Sequence, residues 1–316
     1  MKKLLKAGLV ITVVGIVFLV IAIIGGGVQP VAYTGWTPQV IKKELVTKKQ
    51  TVKEFSNIHV TTDNVGVRIV KGNGYHLSYK GRKSLMPKVK VSGETLTVVD
   101  KSGHPNVVFD GFEITSNRHT KFSNVLTITV PKDLTDVSIK TFGNSDVVIS
   151  DLKLNSLRAN VVDGDMHLTN TQVENDSKIE IIDGDFYFDR VALNNGGHVH
   201  VADGDVQLVD TSLKNITFEN SDGDLNINRV KVDGGNYTSQ DGDISGTDFE
   251  VVNGYQLSSN DGDISLSGVR ADGYESSTTD GDNVLFEQRN GHTLSQGATT
   301  GNVLRVKSVD GDISIH

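Results

Sequence analysis

The chain has no cysteine in 316 residues. Disulfides, a lipidated-cysteine anchor, thiolate metal sites and thiol catalysis are all excluded at once. Proline (5), tryptophan (1) and aromatics in general (6%) are scarce, while glycine reaches 33. That balance suits many short strands joined by tight turns, so the expected class is all-β. Positive charge is also in deficit. The formal net charge is −8, and Lys2, Lys3 and Lys6 are the only charged residues among the first 28, so residues 29–316 carry −8 − 3 = −11. Such an acidic surface repels phosphate backbones, and nucleic acid is not an expected partner. No nucleophile elbow, Walker loop, His-Glu-x-x-His or dinucleotide fingerprint is present, nor an EF-hand loop or the Gly-Gly-x-Gly-x-Asp nonapeptide of calcium-binding β-rolls.

One long apolar run stands out. Residues 7–28 contain no charged side chain, and at about 1.5 Å per residue a helix of that length spans a hydrocarbon core of roughly 30 Å. Residues 1–28 are expected to form a transmembrane anchor. The alternative is a cleaved signal peptide, whose apolar region is only about 7–15 residues. With Lys2, Lys3 and Lys6 ahead of the span, the positive-inside rule places the N-terminus in the cytoplasm and the remainder outside the cell. Tyr33 and Trp36 then fall near the outer interface. Residues 29–49, irregular and containing Pro30, Gly35 and Pro38, read as a stalk.

The dominant pattern is a recurring Asp-Gly-Asp whose first aspartates are Asp163, Asp183, Asp203, Asp222, Asp241, Asp261, Asp280 and Asp310, at intervals of 20, 20, 19, 19, 20, 19 and 30. A fixed period announces stacked repeats. A degenerate earlier copy, Asn144-Ser145-Asp146, lies 19 residues before the first. With the first Asp as position 1, position 4 is Met166, Phe186, Val206, Leu225, Ile244 and Ile264, and position 6 is Leu168, Phe188, Leu208, Ile227, Gly246 and Leu266. This alternation defines a strand with one buried face. Position 11 adds Val173, Leu193, Leu213, Val232, Val251 and Ala271. A second turn follows, as at Asn194-Asn195-Gly196-Gly197. Four residues before each motif stand Ala159, Ile179, Val199, Phe218, Tyr237, Leu257 and Ser276, a second inward row on a return strand. The spacing predicts a right-handed parallel β-solenoid (β-helix) of coils of about 20 residues over 143–316, with coils about 4.8 Å apart.

The rival arrangement is an antiparallel meander, since Asp-Gly also favours hairpins. A lone meander, however, leaves its apolar face uncovered. The row two residues before the motif changes from Val161, Ile181 and Val201 to Asn220, Ser239, Ser259 and Thr278. Either the interior becomes a polar ladder there or the register turns outward. The last interval is long, and the final ten residues read as a half-unit closing the end. Residues 50–142 read as strands without strict period, a cap or irregular coils shielding the first rung, with 102–123 as an insertion.

The segments EFSNIHV, VGVRIV, ETLTVVD and LTITVPKDLTDVSIKTFGNSDVVIS, followed by serial Asp-Gly-Asp units behind one N-terminal anchor, resemble the putative adhesin domain family, the DUF4097 type of bacterial β-repeat ectodomain, and its LiaG-like membrane-anchored members. The resemblance covers about residues 50–315. It implies an envelope location and a role in attachment or envelope stress, and it supplies no catalytic residues. The near-uniform Asp-Gly-Asp departs from the family's more usual Ser-Gly-Asp turns toward acidity.

The function expected is a non-enzymatic, membrane-anchored extracellular adhesin-like protein whose partners are the membrane and an envelope polymer or surface protein. In the bland reading of the motif, the first Asp caps the turn, Gly takes a positive φ and the second Asp enters the strand. In the sharper reading the carboxylates Asp163, Asp165, Asp183, Asp185, Asp203, Asp205, Asp222, Asp224, Asp241, Asp243, Asp261 and Asp263 form a ladder. At about 4.8 Å each stacked pair repels by roughly 0.9 kcal/mol in bulk water, and Ca²⁺ with its preference for oxygen ligands is the one cofactor to weigh. His198 and His200, two apart on one strand, are a second candidate metal pair. Asp189-Arg190 and Asn228-Arg229 read as a solvated edge. A carbohydrate-active β-helix enzyme is the alternative of another class. It needs loops longer than the turns, and only 102–123 and 283–309 qualify.

Overall fold

The computed structural model describes residues 12–18, 21, 31–34, 37–40, 44–100, 107–109, 124–289 and 292–316. Two compact units are present. In the smaller, residues 12–18 are helical, and Val31–Thr34 pairs antiparallel with Thr37–Val40 on one side and Val107–Phe109 on the other. Two short strands therefore occupy the stretch read as a stalk. Among the described residues no helix is long and apolar enough to cross a membrane. Most of the span expected at 1–28 lies outside the described residues, as does the 102–123 insertion apart from Val107–Phe109.

The larger unit is the repeat stack. Successive coils pair in parallel, one repeat apart: Phe186 lies over Met166, Val206 over Phe186 and Leu225 over Val206. The return strands match in the same way, Ala159 to Ile179 to Val199 to Phe218. Each apolar position thus becomes a continuous column, and the side chains of both rows are buried throughout. Parallel register, not a meander, holds in the repeats because a closed coil encloses its own core.

Each coil has one more corner than its two turns suggest. Position 8 is left-handed in every unit from Asp151 (φ 61°) through Asn170, Arg190, Asp210, Arg229 and Asp248 (φ 55°) to Gly268 (φ 63°). The bend explains an oddity of the sequence. Buried positions 4 and 6 alternate, but position 11 lies an odd number of residues further on, which a straight strand would send outward. A left-handed residue at position 8 resets the phase, so Phe188 and Val191 both point inward.

The change of the return row to polar residues is settled as an internal ladder. Asn220, Ser239, Ser259 and Thr278 are all buried. They bond to carbonyls of the adjoining corner: Asn220 Nδ2 to Gly223 O at 2.8 Å, Ser239 Oγ to Asp241 O at 3.2 Å, Ser259 Oγ to Asp261 O at 3.1 Å, and Thr278 Oγ1 to Gly311 O at 2.9 Å. Buried polar groups survive in a core when each finds such a partner.

At both ends, spatial order departs from chain order. Asn57–Thr62 pairs in parallel with Thr95–Val99 on one side and with Leu134–Thr141 on the other, so the chain runs outward and returns across its own first coil. The C-terminal strand Val303–Asp310 inserts between Tyr255–Asp261 and Gly273–Asp280. This corrects the expectation that the last ten residues close the end: they form the penultimate rung. The physical reason is burial. Val306, Ile313 and Ile315 are apolar and need neighbours on both sides, whereas the outermost coil carries Ser276 and Asn283 inside. Those two satisfy each other, Ser276 Oγ donating to Asn283 Oδ1 at 2.8 Å. Beyond it, Thr293–Gly297 runs antiparallel to Gly273–Asp280, an exposed polar strand over the edge.

Candidate functional site: the aspartate corner and its outward rows

The Asp-Gly-Asp corner is built by its glycine. Gly184, Gly204 and Gly223 have φ of 141°, 146° and 123°, and a Cβ on Gly204 would meet the carbonyl oxygen of Gly184 at 2.2 Å. Neither the conformation nor the approach admits a side chain. The corners therefore stack backbone on backbone, Gly184 N donating to Asp203 O at 3.0 Å and Gly204 N to Asp222 O at 3.0 Å.

The two aspartates of the motif then part company. The second row forms a hydrogen-bonded ladder in which each main-chain N–H donates to the carboxylate of the coil before: Asp165 to Asp146 at 3.2 Å, Asp185 to Asp165 at 3.1 Å, Asp205 to Asp185 at 2.9 Å, Asp224 to Asp205 at 2.9 Å, Asp243 to Asp224 at 2.9 Å and Asp263 to Asp243 at 2.8 Å. The ladder continues through Asp312 and ends at Asp282, in the inserted order. The second aspartate thus caps the turn of the next coil. A charge-assisted bond at each step offsets the repulsion between stacked carboxylates. The first row, Asp163, Asp183, Asp203, Asp222, Asp241 and Asp261, continues to Asp310 and Asp280 in register, with every member exposed.

Asp185 uses both oxygens, since Oδ2 also accepts from the Tyr187 hydroxyl at 2.7 Å. That bond, together with burial, pushes the Tyr187 pKa up to about 12. The His167 ring stacks on Tyr187 at 4.5 Å, giving a small flat platform on the outer face.

His198 and His200 do share a face, with ring centroids 6.4 Å apart and Glu219 Oε2 at 3.8 and 3.9 Å from a nitrogen of each. Among the described residues no group of three or more His, Asp or Glu side chains is placed to hold a metal ion. Arg190 and Arg229 occupy the left-handed corner, not a plain edge. Arg229 grips Asp210 of the preceding coil through Nε at 2.6 Å and a terminal nitrogen at 2.8 Å, and this holds the Asp210 carboxyl below the usual carboxylate range.

The family model of Toastrack DUF4097 matches residues 55–316, which include every one of these corners. The chain belongs to the Toastrack DUF4097 family. The Toastrack match spans the repeats and the preceding strands from Asn57–Thr62 onward. Among solved structures, a Bacteroides fragilis protein described as a "putative adhesin" is 16% identical, with a TM-score of 0.42, covering 87% of this chain and 99% of that one. A Parabacteroides distasonis protein described as a "putative lipid binding protein" is 11% identical, with a TM-score of 0.46, covering 87% and 98%. A Clostridium sporogenes "putative cell adhesion protein" is 13% identical, with a TM-score of 0.22, covering 86% and 99%. No curated protein matches.

Proposed function

We propose that this Toastrack protein is a membrane-anchored, extracellular, non-enzymatic adhesin-like surface protein, held by residues 7–28, that binds or scaffolds at the cell envelope. The observation that carries this reading is the first-aspartate row: eight exposed carboxylates, one per coil, aligned in register along one corner. Each is a shallow site of the same chemistry at a spacing of about 4.8 Å. A linear array of weak, identical contacts gains affinity through multivalency without a deep pocket. Its natural partners are extended envelope polymers or surface proteins that carry repeated cationic or hydrogen-bonding groups. The charge-free run at 7–28 behind Lys2, Lys3 and Lys6 supports the anchoring and its direction.

The test compares the full chain with a variant carrying Asp183→Asn, Asp203→Asn, Asp222→Asn and Asp241→Asn for retention on native envelope preparations. Retention should fall far more than in proportion to the number of carboxylates removed. Unchanged retention overturns the reading, and so does reproducible product release when the chain is incubated with cell-wall glycans.

A further inference from the structure

Charge is divided along the larger unit. At its N-terminal end, residues 46–81 and 85–100 carry eight Lys and Arg against four Asp and Glu, 8 − 4 = +4, whereas residues 143–316 carry 11 against 30, 11 − 30 = −19. The positive charge is concentrated on edges. Leu45–Thr51 lies outside His76–Arg82, whose other neighbour is Val125–Val130, and Lys88–Ser92 lies outside Thr95–Val99, whose other neighbour is Asn57–Thr62. These two end strands carry Lys48 and Lys49, and Lys88 and Lys90, and neither holds a carboxylate. All four lysines are exposed, and among the described residues none pairs with a carboxylate.

Lysine on an edge strand can serve simply to repel another edge. Guarding alone would ask the same of both ends, yet Thr293–Gly297, over the opposite edge, holds no charged residue. The lysine-bearing end differs in a second way: it is where the chain arrives. The larger unit opens at Val46, inside the strand Leu45–Thr51, and the charge-free run ends at Val28. A connection of 46 − 28 = 18 residues spans at most about 60 Å. If residues 7–28 are the anchor, as proposed above, Lys48 and Lys49 are tethered beside the bilayer at a high effective concentration of headgroups.

We infer that the lysine-bearing end of the larger unit docks on an anionic lipid headgroup surface, through Lys48, Lys49, Lys88 and Lys90. The inference rests on the anchoring reading and adds a second contact to it. A planar charged surface requires no pocket, only exposed ammonium groups on an unobstructed end. Each basic residue brought within a Debye length of about 8 Å is worth about fivefold in the docked fraction. The same surface repels the acidic repeats, so docking directs the aspartate row away from the lipid and toward the envelope.

Because the chain has no cysteine, a single introduced thiol carries a single dye. The full chain is placed in nanodiscs of phosphatidylcholine, with or without phosphatidylglycerol, that carry a headgroup-linked quencher. The dye sits at the exposed Ser92→Cys, on the lysine-bearing end, or at the exposed Ser295→Cys, over the opposite edge. Quenching at Ser92→Cys should rise about threefold or more when phosphatidylglycerol is added, and the Ser295→Cys signal should not change. The rise should vanish in K48E/K49E/K88E/K90E, and in about 1 M salt, where the Debye length is about 3 Å. K48Q/K49Q/K88Q/K90Q, with an unchanged circular dichroism melt, should lose most of it. Quenching at Ser92→Cys that is indifferent to lipid charge, that survives charge reversal, or that is matched at Ser295→Cys overturns the inference while leaving the anchor in place. A chain that fails to stay in neutral discs is a different result: it overturns the anchoring reading, and this inference with it.

Discussion

The main-chain N–H of Asp185 donates to Oδ1 of Asp165, one coil earlier, at 3.1 Å. The bond is the repeating joint of the stack, and it assigns different work to two aspartates that look equivalent in the sequence. Asp205→Ala strips the acceptor from the Asp224 N–H and should cost about 1–2 kcal/mol. Asp205→Asn, which keeps an acceptor, should cost less. Asp203→Ala, in the exposed row, should change stability by no more than about 0.5 kcal/mol. Thermal melts of the three variants measure the ordering, and an equal loss for Asp203→Ala would contradict it.

The corner glycines should be far less replaceable than a glycine of positive φ with open space around it. Gly204→Ala drives a Cβ to 2.2 Å from Gly184 O at φ 146° and should cost about 3 kcal/mol or more from strain and overpacking together. Gly301, at φ 82° with open space around it, should lose about 1 kcal/mol on the same change. Urea titration of the pair separates crowding from conformation.

Arg190 holds a left-handed conformation (φ 54°) that glycine adopts freely. Arg190→Gly, which gives up only an exposed pair with Asp189, should stabilise the fold slightly, by about 0.5 kcal/mol, the local strain relieved less the extra freedom of the unfolded chain, and so raise the melting temperature. Arg229→Gly should show no such gain, because it also removes the paired bonds to Asp210.

Tyr187 should titrate near pH 12, since its hydroxyl donates to Asp185 and is partly buried. A phenol whose folded pKa is raised contributes stability that is fully present below its unfolded value of about 10 and is lost as pH rises toward 12. Phenolate absorbance of the wild type minus Tyr187→Phe isolates this group. In Asp185→Asn the transition should move back toward 10.

Insertion of the C-terminal strand has a kinetic signature. Amides of Val303–Asp310, bonded between two rungs, should exchange much more slowly than those of Thr293–Gly297, which cover the exposed edge. Faster exchange at the chain's end than in that hairpin would restore the simpler order, with the terminus outermost.

Much of this architecture was legible in the residues. The columns Met166–Phe186–Val206–Leu225 and Ala159–Ile179–Val199–Phe218 could be drawn from spacing alone, because a parallel stack places equal positions over each other and burial demands equal chemistry. The polar slots at Asn220, Ser239 and Ser259 were visible too, but not their direction. A hydroxyl row looks the same facing water or facing a ring of carbonyls. Two signals passed unused: the odd step from position 6 to position 11, which required a phase-resetting corner, and Asn283 at position 4 with Ser276 before it, which marks a coil unfit for the middle of an apolar core.

The period, the inward rows and the glycine at each sharp corner can be read from the residues alone, since they follow from local sterics and from the two-residue alternation of a strand. Which rung lies outermost and which aspartate bonds to its neighbour became visible only in the folded stack. The reason is that stacking energy depends on the faces a rung presents above and below, and chain order does not record who the neighbours are.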